Sequence, residues 1–139
     1  MAHTLYKIYY DIGLIYIGRT NQPLQSRLRG HFFKRPMHRE IDAESVTRIE
    51  YAEVATEADM FVYEVYLIND LKPVLNQDDK SYEKLTIALP HIEFRQYECK
   101  LMDKWKMELA RQGAEKVKAR YDRLARYMEL QQKRIQKAK

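Results

Sequence analysis

The stretch that most constrains this chain is residues 6–31, YKIYYDIGLIYIGRTNQPLQSRLRGH, in which two Ile- and Tyr-rich runs precede an amphipathic run. β-Branched and aromatic residues favour strands, so residues 5–10 and 14–18 are predicted to form a hairpin. Asp11-Ile12-Gly13 has the length and the glycine of a three-residue loop. The resulting register pairs three residues of each strand: Tyr10 with Leu14, Ile8 with Tyr16, and Tyr6 with Gly18.

The predicted register brings Tyr6 beside Tyr16 on one face of the hairpin. Side chains alternate between the two faces of a strand, and diagonal cross-strand neighbours lie within reach of each other. Gly18 has no side chain and therefore leaves space beside the Tyr6 ring. The tyrosines are either strand formers alone or members of a site, and composition by itself favours the first interpretation.

The amphipathic run after the hairpin predicts a helix that extends to about Lys34. Asn21 can cap this helix, and Pro23 suits its first turn. One stripe at helical spacing is apolar and should face the core: Leu24, Leu28 and Phe32. Residues 36–45 then read as a loop, and residues 46–54 alternate well enough to form a third strand.

A second face of this helix is basic. Arg27 and His31 are four residues apart and therefore share that face, with Lys34 a further turn along. Beside a tyrosine-rich hairpin, such a face could hold a phosphate group. The alternative is a solvated helix surface, which is the usual place of a run of basic residues.

A second helix is predicted from Glu57 to Leu71, after a capping box at Thr56 and before Lys72-Pro73. This helix is apolar almost all round, which predicts that it packs on all sides. Glu64 lies in the middle of the apolar run. Because carboxylates are rarely buried without a partner, Glu64 should coordinate a metal ion, meet a cation or reach a solvent edge.

The basic character of the chain belongs to its last forty residues. Residues 1–99 hold 12 Lys and Arg against 15 Asp and Glu, whereas residues 100–139 hold 13 against 5. The second segment is helical in character, with an interruption near Gly113. It is either a basic helix that touches nucleic acid phosphates or a coiled-coil arm that joins two copies.

Several classes of protein are excluded by composition. No apolar run approaches the ~18 residues that cross a bilayer, and the N-terminus lacks the apolar region of a signal peptide. Cys99 is the only cysteine, so no internal disulfide forms, which suits a reducing cytoplasm. We therefore expect a cytoplasmic protein that is independent of membranes.

The motifs in order resemble the GIY-YIG nuclease family, in which a GIY tripeptide precedes a YIG tripeptide by about ten residues. An Arg and a His on the next helix, a lone Glu on a later helix and an Asn beyond it complete the family pattern. Here the first tripeptide is Thr4-Leu5-Tyr6, which retains only its Tyr. The other matches lie within residues 4–77: Tyr16-Ile17-Gly18, Arg27, His31, Glu64 and Asn76.

The resemblance implies an endonuclease that depends on a divalent metal and hydrolyses DNA phosphodiester bonds. Glu64 would be the sole protein ligand of one Mg²⁺ or Mn²⁺ ion, Tyr6 would activate the attacking water, and Tyr16 would position the water or the phosphate. Arg27 would bind the scissile phosphate, and His31 would assist proton transfer or contact the phosphate. Asn76 would hold either the substrate or the geometry of the tyrosine and glutamate side chains. The other residues assigned to the substrate are Gly18, Arg19 and Lys34.

The resemblance also implies the architecture. We expect an α+β fold with a small three-stranded antiparallel sheet flanked by helices over residues 1–97, and a basic helical extension over residues 98–139. The extension would contact DNA or form a homodimer. The alternative function is a catalytically inactive nucleic-acid-binding or assembly module in which the helical arm contacts a partner.

Overall fold

The computed structural model describes residues 3–34, 41–78, 80–111 and 113–138. Within these ranges, four strands form one antiparallel sheet in the order β2-β1-β3-β4. The strands are β1 (His3–Tyr10), β2 (Gly13–Thr20), β3 (Arg48–Val54) and β4 (Arg95–Gln96). The helices are α1 (Leu24–Lys34), α2 (Glu57–Leu71), α3 (Met102–Ala110) and α4 (Ala114–Lys137). The α+β class is therefore confirmed.

The prediction of three strands is wrong by one. The three predicted strands are present, and β4 pairs with β3 through Glu50 and Tyr51. A strand of two residues is too short to show any alternation, so the hydrophobic pattern cannot reveal it. The predicted loop at residues 36–45 lies partly outside the described residues, and its last three, Ala43–Ser45, form a 3-10 turn.

The hairpin has the predicted register at the end that carries Tyr6, Tyr16 and Gly18. Tyr6 pairs with Gly18 and Ile8 pairs with Tyr16. Nearer the turn the prediction is wrong, because Tyr10 pairs with Gly13 across a two-residue turn. A β-bulge at Ile15 absorbs the difference, since one extra residue on β2 lies opposite the break between Ile8 and Tyr9. Consequently Ile15, rather than Leu14, is buried in the core cluster.

Both predicted helices form, and the predicted N-terminal cap is confirmed for α2 but not for α1. The Thr56 hydroxyl accepts the Asp59 backbone N–H at 3.0 Å, which confirms the cap of α2. The predicted cap of α1 is not confirmed: the Oδ1 of Asn21 lies 3.1 Å from Nδ1 of His3. The helix begins with backbone bonds in which the carbonyl of Pro23 accepts the N–H groups of Ser26 and Arg27. The apolar stripe of α1 is buried as predicted: Leu24, Leu28 and Phe32.

α2 is not packed on all sides, contrary to expectation. It lies against β1, β2 and β3, and its buried residues are Met60 and Ile68. Phe61 and Val62 are 42% and 56% exposed. A helix that covers one face of a small sheet buries only one stripe of side chains, so the apolar composition of α2 overstates its burial.

The C-terminal helices complete the main core. Gly113, with φ of 111°, separates α3 from α4 where the interruption was predicted. Trp105, Leu109 and Leu124 belong to the same buried cluster as Phe32. In the described part of the chain, no helix combines the length and hydropathy that a bilayer crossing requires.

A buried ion pair ties α4 to the rest of the molecule. Nη2 of Arg120 lies 2.6 Å from Oδ1 of Asp42, whose side chain is 2% exposed. The Asp42 backbone N–H donates to the hydroxyl of Tyr10 at 2.9 Å. The carboxylate is thus held between the end of β1 and α4, where a cation must balance its charge.

We expect Arg120→Met to lower the free energy of unfolding by about 3 kcal/mol, because it leaves the Asp42 charge buried without its cation. Urea denaturation followed by circular dichroism measures this loss. Arg126→Met, at an exposed position of the same helix, is the matched control and should change little. The double variant Arg120→Met/Asp42→Asn should recover most of the loss, and equal stability of all four proteins would contradict the prediction.

Candidate active site

The hydroxyl of Tyr6 is the centre of a cluster of predicted site residues. Its oxygen lies 2.6 Å from Nε2 of His31, and Nε of Arg27 donates to it over 3.3 Å. Tyr6 is fully buried and His31 is 4% exposed. β1 supplies the tyrosine, whereas successive turns of α1 supply the arginine and the histidine. The basic face of α1 is therefore turned toward the hairpin at these two positions.

Tyr16 completes the cluster from β2. Its ring centroid lies 6.1 Å from that of Tyr6 and 5.0 Å from that of His31. The predicted contact between the two tyrosines across the hairpin is thus confirmed. Arg27 is hydrogen-bonded to the Tyr16 side chain as well as to Tyr6. One guanidinium therefore holds both tyrosines.

Gly18 provides the space for this arrangement, as its pairing with Tyr6 predicted. A Cβ at residue 18 would overlap Cζ and Oη of Tyr6 and would lie 2.8 Å from Cε2 of Tyr16. Any side chain there must displace one of the tyrosines. In this structure Gly18 acts by leaving room for Tyr6, which is a different role from the predicted contact with substrate.

Burial raises the pKa of the Tyr6 hydroxyl above its usual range, because the phenolate is poorly solvated in the core. Tyr16 and Glu64 raise it further, whereas the positive charge of Arg27 lowers it. Burial outweighs the cation. At neutral pH the hydroxyl therefore carries its proton.

Glu64 lies on α2, which covers the sheet face opposite to Gly18. Its Oε1 accepts from Nε of Arg19 at 3.0 Å, and the side chain is 21% exposed. The guanidinium of Arg19 also lies over the ring of Phe61, 4.1 Å from its centroid. Of the three outcomes expected for Glu64, the structure shows contact with a cation and partial exposure to solvent. The negative charge of Glu64 is among the causes that raise the pKa of Tyr6, after burial and Tyr16.

The residues around Glu64 fit one kind of metal site. Among the residues that the structure describes, no three His, Cys, Asp or Glu side chains are grouped as a metal cage. Mg²⁺ nevertheless binds through one or two carboxylates, keeps several waters and takes phosphate oxygens as further ligands. A single, partly exposed carboxylate has the chemistry for such an ion, and Arg19 would have to leave the carboxylate oxygen that it contacts.

Asn76 fixes the backbone of β2 beside the site. Its Oδ1 accepts the N–H of Ile17 at 2.9 Å, and its Nδ2 donates to the carbonyl of Ile17 at 2.8 Å. The N–H of Leu75 donates to the carbonyl of Ile15 at 2.9 Å. Asn76 therefore positions Tyr16 and Gly18, the neighbours of Ile17, through the strand that carries them.

Lys34 stands apart from the cluster. It is exposed in the last turn of α1, about 10 Å along the helix from Arg27 at the usual rise per residue. Lys34 could make its predicted contact with substrate only if the nucleic acid strand extends well beyond the tyrosines.

The ion pair between Arg19 and Glu64 was not predicted. Arg19 follows Gly18 in β2, and alternation places its side chain on the opposite face from Gly18, which is the face that α2 covers. The alternation of side chains along β2 was the sequence signal that could have placed Arg19 against α2.

Comparison of the chain with models of known families, with curated proteins and with solved structures gives no match. The function of this chain must therefore be inferred from the site itself.

We expect Gly18→Ala to lower the free energy of unfolding by about 1–3 kcal/mol, because the new methyl group displaces the Tyr6 ring. Chemical denaturation measures the change. Gly30→Ala is the matched control: an added Cβ meets nothing within 4 Å there, and alanine in a helix interior is more favourable by about 0.5–1 kcal/mol. The two substitutions should have opposite signs, and a stabilising Gly18→Ala would contradict the steric argument.

Proposed function

We propose that this protein is a divalent-metal-dependent endonuclease that hydrolyses DNA phosphodiester bonds within the cytoplasm. The observation that carries the proposal is the buried Tyr6 hydroxyl, 2.6 Å from Nε2 of His31 and 3.3 Å from Nε of Arg27. A hydroxyl, an imidazole and a guanidinium in direct contact supply a proton path and a phosphate-binding cation at one place.

The proton path follows from the state of Tyr6. Because its hydroxyl is protonated, Tyr6 can accept a proton from water only while it gives its own proton to His31. A neutral His31 with its proton on Nδ1 offers Nε2 as the acceptor. The hydroxide then attacks phosphorus, the bond to the 3′ oxygen breaks, and that oxygen takes a proton from solvent. The products are a 5′-phosphate and a 3′-hydroxyl.

Arg27 connects this path to the substrate. It is half-buried and bonded to both tyrosine hydroxyls, so it lies between the buried cluster and the surface. Its planar guanidinium can bind the scissile phosphate by two hydrogen bonds and offset the charge that develops there. Movement of Arg27 toward the phosphate also opens the Tyr6 hydroxyl to water.

Glu64 would hold one Mg²⁺ or Mn²⁺ ion. When bound, such an ion neutralises charge on the phosphate and lowers the pKa of a bound water. Arg19, released from Glu64, can then contact the same or a neighbouring phosphate, which agrees with its assignment to the substrate in the sequence analysis.

One observation favours the alternative, a nucleic-acid-binding module without catalysis. The Arg19–Glu64 pair at 3.0 Å occupies a carboxylate oxygen that the ion would need. A permanent pair would leave the tyrosine cluster as a structural feature of the hairpin. Measurements of cutting and of binding on the same variants separate the two functions.

We expect the wild-type protein to relax supercoiled plasmid when Mg²⁺ or Mn²⁺ is present, and we expect EDTA to abolish this cutting. Glu64→Gln should abolish cutting, because the amide cannot replace the anionic ligand, and should retain DNA binding in a gel-shift assay. Glu57→Gln, at an exposed position of the same helix, should cut as the wild type does. Absence of cutting on plasmid, single strands and RNA, together with salt-sensitive binding, would support the alternative.

We expect Tyr6→Phe to lower the cutting rate by about 10²-fold or more, because it removes the hydroxyl of the proton path. Tyr9→Phe is the matched control. Tyr9 is on the same strand, but its hydroxyl donates to Glu50 at 2.8 Å, away from the cluster. Melting temperatures of both variants show whether the fold is kept. Equal cutting by a folded Tyr6→Phe protein would remove Tyr6 from the mechanism.

One active site cuts one strand, so cleavage of both strands requires a second copy or a second event. The ratio of nicked to linear plasmid at early times distinguishes these cases. A homodimer through the C-terminal helix, as proposed from sequence, should give linear product without a nicked precursor.

A further inference from the structure

A cavity of about 530 Å³ lies between α4 and a segment that contributes Val74, Leu75, Gln77 and Tyr82, on residues that the proposed catalysis does not use. Its volume is within the range of about 300–1,000 Å³ that is usual for small-molecule sites. The α4 side of the cavity is one helix face, with lining residues three or four apart: Arg120, Arg123, Leu124, Tyr127, Leu130 and Arg134.

The cavity lining carries an excess of positive charge. The acidic residue among those that line it, Asp42, is already paired with Arg120 at 2.6 Å. Arg123 and Arg134 therefore add two positive charges that this carboxylate does not balance. Both side chains are exposed, and a guanidinium can bind a phosphate group by paired hydrogen bonds.

Aromatic rings accompany these arginines. The guanidinium of Arg134 and the ammonium of Lys80 lie 5.4 and 5.6 Å from the ring centroid of Tyr82. Tyr127 is 53% exposed, and the buried side chains of Val74 and Leu124 form the apolar floor. An exposed aromatic ring beside guanidinium groups suits a ligand that has a flat base at one end and a phosphate at the other.

The cavity adjoins the candidate active site through two segments. Asn76 is bonded to Ile17 in the site, and the next residue, Gln77, lines the cavity. Tyr10 also lines the cavity, and it follows Tyr6 on the same face of β1 at about 13 Å by the usual rise of a strand.

We propose that this cavity binds one nucleotide, with its phosphate on Arg134 and its base against Tyr127. The ligand is either a free mononucleotide or one unit of a nucleic acid strand, and the second case rests on the proposed function.

Isothermal titration calorimetry on the full chain carrying Glu64→Gln tests the proposal, because binding is then measured without cutting. The probes are deoxyadenosine monophosphate, inorganic phosphate and a short single-stranded oligonucleotide. Arg134→Gln should weaken nucleotide binding by about tenfold or more. Tyr127→Ala should weaken nucleotide binding by about tenfold but leave phosphate binding unchanged. Arg126→Gln, an exposed position of α4 outside the cavity lining, is the matched control.

Binding of the mononucleotide that these variants weaken supports the proposal for a free ligand. Binding of the oligonucleotide alone, with the same losses, supports it for a unit of a strand. The proposal is overturned if neither probe binds, if the variants bind as the control does, or if phosphate binds as tightly as the nucleotide. Tighter binding of a phosphopeptide, lost in the same variants, would assign the cavity to a protein partner instead.

These results are independent of the nuclease assay. Nucleotide binding with no cutting by the wild-type protein would retain the cavity and reject the proposed catalysis. Cutting by the wild-type protein without nucleotide binding in the cavity would retain the proposed catalysis and reject the cavity as a nucleotide site.

Discussion

The candidate site depends on one steric constraint, which is that the Tyr6 ring occupies the space left by the missing side chain of Gly18. This pairing fixes the hydroxyl deep in the core, where His31 and Arg27 on α1 contact it. The β-bulge at Ile15 lies toward the turn, so the irregular end of the hairpin does not disturb the pairing of Tyr6. Burial then determines the chemistry, because it keeps the phenol protonated and directs any proton transfer toward the imidazole.

The C-terminal helices are both part of the core and the source of the positive charge. Trp105 and Leu124 pack in the main cluster, and Arg120 balances the buried Asp42. The other arginines of α4 remain at the surface. A basic segment that is anchored in this way presents its charge at fixed positions relative to the tyrosines, which a flexible basic tail could not do.

Local features were predictable from sequence, whereas contacts between layers were not. Residue spacing alone predicted the pairing of Tyr6 with Gly18, the cap at Thr56 and the break at Gly113. The Arg19–Glu64 pair and the exposed side of α2 depend on how a helix lies across the sheet. Periodicity identifies the apolar residues of such a helix but does not give the area that a small sheet can cover.

Asn76 affects whether copies of this chain can associate through the edge of the sheet. β2 is at the edge of the sheet, and an open edge invites strands of other chains. The primary amide of Asn76 takes both backbone groups of Ile17, and Leu75 takes the carbonyl of Ile15. The side chain thus imitates a peptide unit of a neighbouring strand and closes this part of the edge. The residue that holds the tyrosines in place also protects the sheet from aggregation by strand addition.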